Sequence, residues 1–301
     1  MLHARRRFLK TTAGLAAGLA ARAEAPAGLR LPTVHFGKYE ISRLMIGCNQ
    51  FYGFSHFNRL LNELMREWYT PERVVEVLHR SEHNGINVYQ YAHGDRAWSD
   101  LQRFRSEGGK MNLIAVNTTP TPEVELIRLI QPAGLYYHGE RTDVAFRSGD
   151  MQPIREWLKR VRDTGTMAGV GTHKPEVIEY IEEHGWDVDF YVICAYNRTR
   201  TPEEVRKLLG GQLPVPAGEV YLEGDPPHAF RVVRQVRKPC MVFKILAAGR
   251  VTNTPEMVDR AFSVAFDSIK PQDCVIVGMY PRYKDEVTEN ADRVRRILGR
   301  S

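Results

Sequence analysis

The chain has 301 residues, 43% of them hydrophobic and 26% charged, with 24 glycines and 17 prolines, a composition that excludes collagen-like and disordered chains. Its formal net charge of +6 is uneven: Arg5, Arg6, Arg7, Lys10 and Arg22 lie in the first 23 residues, which hold no acid, and leave 37 basic against 36 acidic residues elsewhere. A near-neutral body has no surplus for a phosphate backbone, so nucleic-acid binding is excluded.

In chain order, Arg5 to Lys10 form a basic start, Thr11 to Ala21 a short Ala/Gly-rich apolar stretch, and Ala21-Arg22-Ala23 a small-residue cleavage pattern. The apolar run is far below the ~20 residues that span a bilayer. The arginine pair ahead of Phe8-Leu9-Lys10 resembles a twin-arginine export signal, cut before Glu24. Residues 1–23 are thus expected to be a signal peptide read by the twin-arginine export machinery. Residues 24–301 would then be a periplasmic domain without an integral membrane segment.

Val34–Phe36 and Ile41 flank Gly37-Lys38, which predicts a small hairpin. Short apolar runs then predict strands at Leu44–Cys48, Asn87–Tyr91, Asn112–Val116, Gly134–His138, Met167–Gly171, Phe190–Ala195, Met241–Leu246 and Cys274–Gly278. Amphipathic segments separate them, opened by Thr70-Pro71-Glu72, Thr121-Pro122-Glu123, Lys174-Pro175-Glu176, Thr201-Pro202-Glu203 and Thr254-Pro255-Glu256. In these openings threonine caps, proline fits the first turn and glutamate favours the helix N-terminus; Lys174 lacks the cap. Two long loops are expected, Gln50 to Tyr69 as an aromatic lid and Gly210 to Pro226. Cys48, Cys194, Cys240 and Cys274 are scattered, and they read as buried thiols rather than a disulfide framework or structural zinc site.

Near-continuous apolar strands are those of a parallel sheet covered by helices on its faces. Eight strand–helix units in about 270 residues predict an α/β fold, a (β/α)8 TIM barrel with a short N-terminal hairpin capping its bottom. Neither GxGxxG nor a Walker motif supports the doubly wound alternative.

This barrel resembles the aldo/keto reductases over most of its length. The likeness runs through Ile41 to Gly47, Gly85-Ile86-Asn87, Leu135 to His138, Ala168 to Gly171, Tyr196-Asn197, Leu246 to Gly249, Val275 to Gly278 and Glu289-Asn290. The resemblance implies oxidoreductase chemistry with NADP(H), driven by an Asp, Tyr, Lys and His tetrad. By motif position those residues fall at Gln90, Asp95, Asn117 and His138, so only the histidine is kept. The carboxamide-binding positions read Thr172-His173 and Ile193, while Arg282 and Asn290 stand where cofactor contacts at the adenine end are expected.

In such barrels function sits at the C-terminal ends of the strands. Those ends carry Asn49, Gln50, His93, Asp95, Asn117, His138, Glu140, His173, Lys174, Asn197 and Lys244. Of these, His138, His173, His93, Lys244 and Asp95 are the candidate catalytic residues. Imidazole and carboxylate suit general acid–base work or a divalent metal, and lysine suits an oxyanion. Three classes follow: a reductase-lineage enzyme on a small polar carbonyl or carbohydrate-like substrate; a non-redox lyase, isomerase or hydrolase, with or without a metal; and a ligand-binding protein without turnover.

Overall fold

The computed structural model describes residues 29–118, 122–215 and 219–299. The export signal read in residues 1–23 and the Thr121 cap lie outside them. The chain opens with the expected hairpin, β1 (Thr33–Phe36) and β2 (Tyr39–Ser42), turned at Gly37 with φ 57°. A positive φ there suits a two-residue hairpin turn and costs glycine nothing.

Eight parallel strands then close a barrel: β3 (Leu44–Gly47), β4 (Val88–Ala92), β5 (Asn112–Val116), β6 (Gly134–Tyr137), β7 (Met167–Thr172), β8 (Phe190–Cys194), β9 (Cys240–Phe243) and β10 (Cys274–Val277). They pair in chain order, and β10 closes on β3 with Val275 opposite Leu44. All eight expected strands are present: β5 has the expected bounds, β9 begins one residue earlier and ends three earlier, and the others differ by one residue at one or both ends. Side chains alternate between two cores. Inward-facing Met45, Val88, Ile114, Tyr136, Phe190, Val192, Met241 and Ile276 fill the barrel, with Phe36 and Ile41 of the hairpin as its floor. Outward-facing residues such as Leu44, Tyr89, Leu113, Val170 and Ile193 pack under the helices. Gly169 faces Phe190 so closely that an added Cβ would lie 2.5 Å from its ring. Small residues on β7 therefore make room for large ones beside them, as close packing of a barrel interior requires.

The helices are α1 (Arg59–Trp68), α2 (Pro71–His83), α3 (Asp95–Ser106), α4 (Glu123–Ile130), α5 (Gly139–Ser148), α6 (Gln152–Arg162), α7 (Pro175–Glu183), α8 (Pro202–Leu208), α9 (Asp225–Gln235), α10 (Pro255–Ser268) and α11 (Glu286–Leu298). Thr70, Thr201 and Thr254 cap their helices through side-chain oxygen, and Thr201 forms a reciprocal capping box with Glu204. At α4 the reading shifts by one: Pro122 is the N-cap and the helix starts at Glu123. The Gln50–Tyr69 segment is not a plain loop. A short 3-10 turn at Asn49–Tyr52 leads to α1, whose Asn58 cap accepts from the Leu61 amide at 2.8 Å. All four cysteines are buried and free. Among the described residues no helix is long and apolar enough to cross a membrane.

Candidate active site at the barrel mouth

The C-terminal ends of the strands open into a cavity of about 1030 Å³, large for a small-molecule site. His93, Asp95, His138, His173 and Lys244 all line it, together with Asn49, Gln50, His56 and Arg198.

His173 follows β7 and is held by Asp143, a buried residue of α5. Its Nδ1 lies 2.8 Å from Asp143 Oδ2. The same carboxylate accepts from Thr172 Oγ1 at 2.6 Å, Thr199 Oγ1 at 2.9 Å and the His173 amide at 3.2 Å. Burial alone would raise Asp143, but these donors outweigh it and hold the acid below its usual range. Burial pushes His173 down to about 4 against the pull of Asp143, so the imidazole is neutral. A carboxylate accepting at Nδ1 keeps the proton there, which leaves Nε2 as an acceptor toward the cavity. An imidazole held this way has the geometry that a fixed general base requires.

Lys244 follows β9 with its backbone in the left-handed region, φ 61°. Its Nζ sits 5.1 Å from the Phe243 ring centroid. Burial lowers its ammonium to about 8; the Arg198 charge lowers it too, while Cys194, Glu219 and Glu140 act the other way. Desolvation is the first cause, as expected of a lysine beside an apolar barrel core.

His138 ends β6 as the N-cap of α5. Burial lowers its pKa as well, and its Nδ1 is buried without a hydrogen-bond partner. An orphaned buried nitrogen at a strand end is costly unless function retains it. Arg198 lies beside it, bridging Glu219 Oε1 at 2.7 Å and Glu140 Oε2 at 3.3 Å. Glu219 also takes His56 Nδ1 at 2.7 Å and the Tyr221 hydroxyl at 2.7 Å. Burial opposes ionisation of Glu219, yet His56, Arg198 and Tyr221 hold it down at about 2. His56 Nε2 reaches Asn49 Nδ2 at 3.1 Å, and Arg250 Nη1 donates to the His56 carbonyl at 3.1 Å. The segment after β3 is thereby tied to the loop between α8 and α9.

The remaining expected residues lie apart from this buried centre. His93 is half-buried, 3.1 Å from the Tyr91 hydroxyl, and burial lowers its pKa. Asp95 is exposed in the first turn of α3, where Arg96 pairs with Asp100. It is a rim residue and not part of the buried centre. Arg282 does not line the cavity; it is exposed, donates to the Tyr280 hydroxyl at 3.3 Å and stacks on Tyr283. Asn290 is buried in α11 and lines the cavity, but its Oδ1 is taken by Arg293 Nη1 at 2.9 Å. Lys174 is buried and pairs with Glu204 at 3.0 Å, so it leaves the mouth. His93, His138 and His173 do not converge as ligands. Among the described residues no group of three His, Cys, Asp or Glu is arranged to hold a metal ion.

Asp143, Arg198 and Glu219 were not singled out from sequence. Asp143 did carry a signal: Gly139, Thr142, Asp143 and Phe146 form an i, i+3, i+4, i+7 stripe, so an acid sits on a core-facing surface of α5. Glu219 carried none, since nothing local ties it to His56 across 163 residues.

Several positions that the resemblance assigns to reductase contacts are engaged within the protein. Gln90, at the aspartate position, donates to the Tyr136 hydroxyl at 2.9 Å and meets the Cys48 thiol at 3.5 Å, a neutral network. Thr172 is spent on Asp143, and Ile193 points into the strand–helix layer. Gln50 lies so near Gly278 that a Cβ there would meet its Oε1 at 1.8 Å. These residues do not fit the nicotinamide contacts that the family resemblance implies.

No family model matches the chain, and no curated protein matches it in sequence. Among solved structures it is similar to a Gox0644 variant in complex with NADPH, at 12% identity and a TM-score of 0.50, covering 89% of this chain and 88% of that one. It is also similar to the glycerol dehydrogenase AKR11B4 from Gluconobacter oxydans, at 12% identity and a TM-score of 0.47, covering 87% and 94%. A truncated 3-deoxy-D-arabino-heptulosonate 7-phosphate synthase from Thermotoga maritima matches at 13% identity and a TM-score of 0.48, covering 90% and 92%. At these identities the likeness is one of fold alone, an eight-stranded parallel barrel ringed by helices.

Proposed function

We propose that this chain is an enzyme that moves protons on a small polar carbonyl compound of carbohydrate-like chemistry, with His173 as general base. The observation that carries the reading is the buried Asp143–His173 pair: Asp143 holds the proton on Nδ1, burial keeps the imidazole neutral, and His173 lines the cavity. His138 and Lys244 line the same cavity and supply donors to carbonyl or enolate oxygen. Reduction with NADPH through the reductase tetrad is disfavoured, because Gln90, Asp95 and Asn117 hold the positions of its Asp, Tyr and Lys. The fold and the NADPH-bound neighbour support testing that cofactor, yet the contacts it needs are spent inside this protein. No step is assigned to a metal, because no ligand set supports one among the described residues. The enzyme is proposed to work outside the cytoplasm after export on Arg5-Arg6-Arg7.

The test is exchange of hydrogen for deuterium next to the carbonyl of dihydroxyacetone or glycolaldehyde, followed by NMR in deuterated water. Enzyme-dependent exchange, lost in His173→Gln, is the expected result. NADPH-dependent reduction of the same compounds with no exchange would overturn the reading.

A further inference from the structure

We propose that Lys244 is a covalent catalyst: its Nζ captures the carbonyl carbon of a small hydroxy-ketone or hydroxy-aldehyde as an imine. The inference rests on the acid–base reading of the same site and goes further, because it makes the lysine a nucleophile.

Three observations carry it. The first is the company Lys244 keeps. Lys159, Lys174, Lys238, Lys270 and Lys284 each place Nζ within 3.0 Å of a carboxylate oxygen. Lys244, although it faces a cavity walled by Val192, Phe243 and Ile276, has no carboxylate within ion-pair reach among the described residues. A lysine that serves only structure is normally paired when it leaves water. The second is how the surrounding charges are spent. Glu140 and Glu219 both bind Arg198, so the two acids that would compensate an ammonium are already committed. Cys194 is buried, its thiol pushed up to about 11, and stays neutral. The third is the backbone. Lys244, Ala247 and Ala248 have φ of 61°, 48° and 52°, a run of left-handed residues after β9. Such conformations cost roughly 1–3 kcal/mol each in non-glycine residues and persist where the site requires them.

An uncompensated ammonium beside a fixed cation gives up its proton more readily, which is how a lysine becomes a nucleophile. With the group at about 8, the free amine at pH 7 is roughly 300-fold more abundant than for an ordinary lysine. In the step, the Nζ lone pair bonds to the carbonyl carbon and the C=O electron pair moves to oxygen, which takes a proton. One amine hydrogen has by then passed to that oxygen, so the carbinolamine loses its hydroxyl and the remaining N–H hydrogen as water, leaving a C=N bond that takes up a proton from solvent. No oxidant or reductant is consumed. The protonated imine draws electrons from the neighbouring C–H bond, and His173 Nε2 accepts that proton as an enamine forms.

The experiment treats the full chain with dihydroxyacetone and sodium borohydride and maps the peptides by mass spectrometry. A reduced adduct at Lys244, at least ten-fold above the exposed Lys110 and Lys207 and absent in Lys244→Arg, is the expected result. The wild-type peptide map stands whether or not the variant folds. Absence of an adduct at Lys244 while wild type still exchanges hydrogen next to the carbonyl overturns the imine and leaves the acid–base reading intact. Absence of both overturns the two together, and an adduct without exchange keeps the imine but removes His173 as the base.

Discussion

Replacing Asp143 by asparagine separates holding His173 in place from setting its proton. In the wild type, Oδ1 receives Thr172 Oγ1 at 2.6 Å and the His173 amide at 3.2 Å, while Oδ2 receives His173 Nδ1 at 2.8 Å and Thr199 Oγ1 at 2.9 Å. The His173 amide lies 3.2 Å from both oxygens and does not fix which way the asparagine turns; with the NH2 group toward the imidazole the pair reverses polarity. Nδ1 must then accept, and the proton moves to Nε2, the nitrogen left for the cavity. The shape is kept and the base becomes a donor. Losing hydrogen bonds to an ionised acceptor costs about 1.5–3 kcal/mol. In a domain of this size that lowers Tm by about 3–10 °C. Losing a positioned base slows proton transfer by about a hundred- to ten-thousand-fold. The assay is hydrogen–deuterium exchange of dihydroxyacetone by NMR, with a thermal melt on the same sample. A lowered Tm with an unchanged exchange rate would refute the reasoning and leave Asp143 a purely structural acid.

Acid should weaken the fold through His173. The folded imidazole stays neutral to about pH 4, whereas an unfolded chain protonates it near 6.5. The unfolded state binds more protons between those values, so stability falls as pH drops through that window, by up to about 3 kcal/mol. Tm across it should fall less steeply in His173→Gln; an identical slope would remove His173 as the cause. Fluorescence titration should show NADPH binding at least ten-fold more weakly than to a typical reductase, about 1.4 kcal/mol, because Thr172 and Asn290 are already engaged. Tight binding with hydride transfer to ordinary aldehydes would contradict it. Gly169→Ala should cost about 1–3 kcal/mol by overpacking, since its Cβ would lie 2.5 Å from the Phe190 ring; an unchanged Tm would contradict that. Replacing Arg5, Arg6 and Arg7 by lysines should keep the precursor in the cytoplasm, and unchanged export of a protein beginning at Glu24 would end the export reading.

The barrel was legible in sequence because its signals are local. A strand buried on both faces needs an unbroken apolar run, and each helix after it needs a start, so Val275-Ile276-Val277 and Thr254-Pro255-Glu256 announce themselves within a few residues. The helix Arg59–Trp68 was missed although Asn58 is a favoured N-cap and Leu61 and Met65 have helical spacing, because no proline follows the cap and the aromatic residues around it read as a loop. The mouth was legible only as a ring of strand-end residues. His138, His173 and Lys244 could be placed there, because the end of a strand fixes the end of the barrel. Their chemistry was settled by partners distant in sequence. Asp143 reaches His173 from 30 residues away, and Glu219 meets His56 across 163, contacts that exist only after the chain closes. Burial decided the rest: the same lysine on an exposed helix keeps its ordinary proton, whereas Lys244 at the mouth is desolvated beside Arg198. Residue type and period thus determine which elements form and which ends carry polar groups. Which of those groups are paired, neutral or left reactive depends on how the closed barrel excludes water and brings remote charges together.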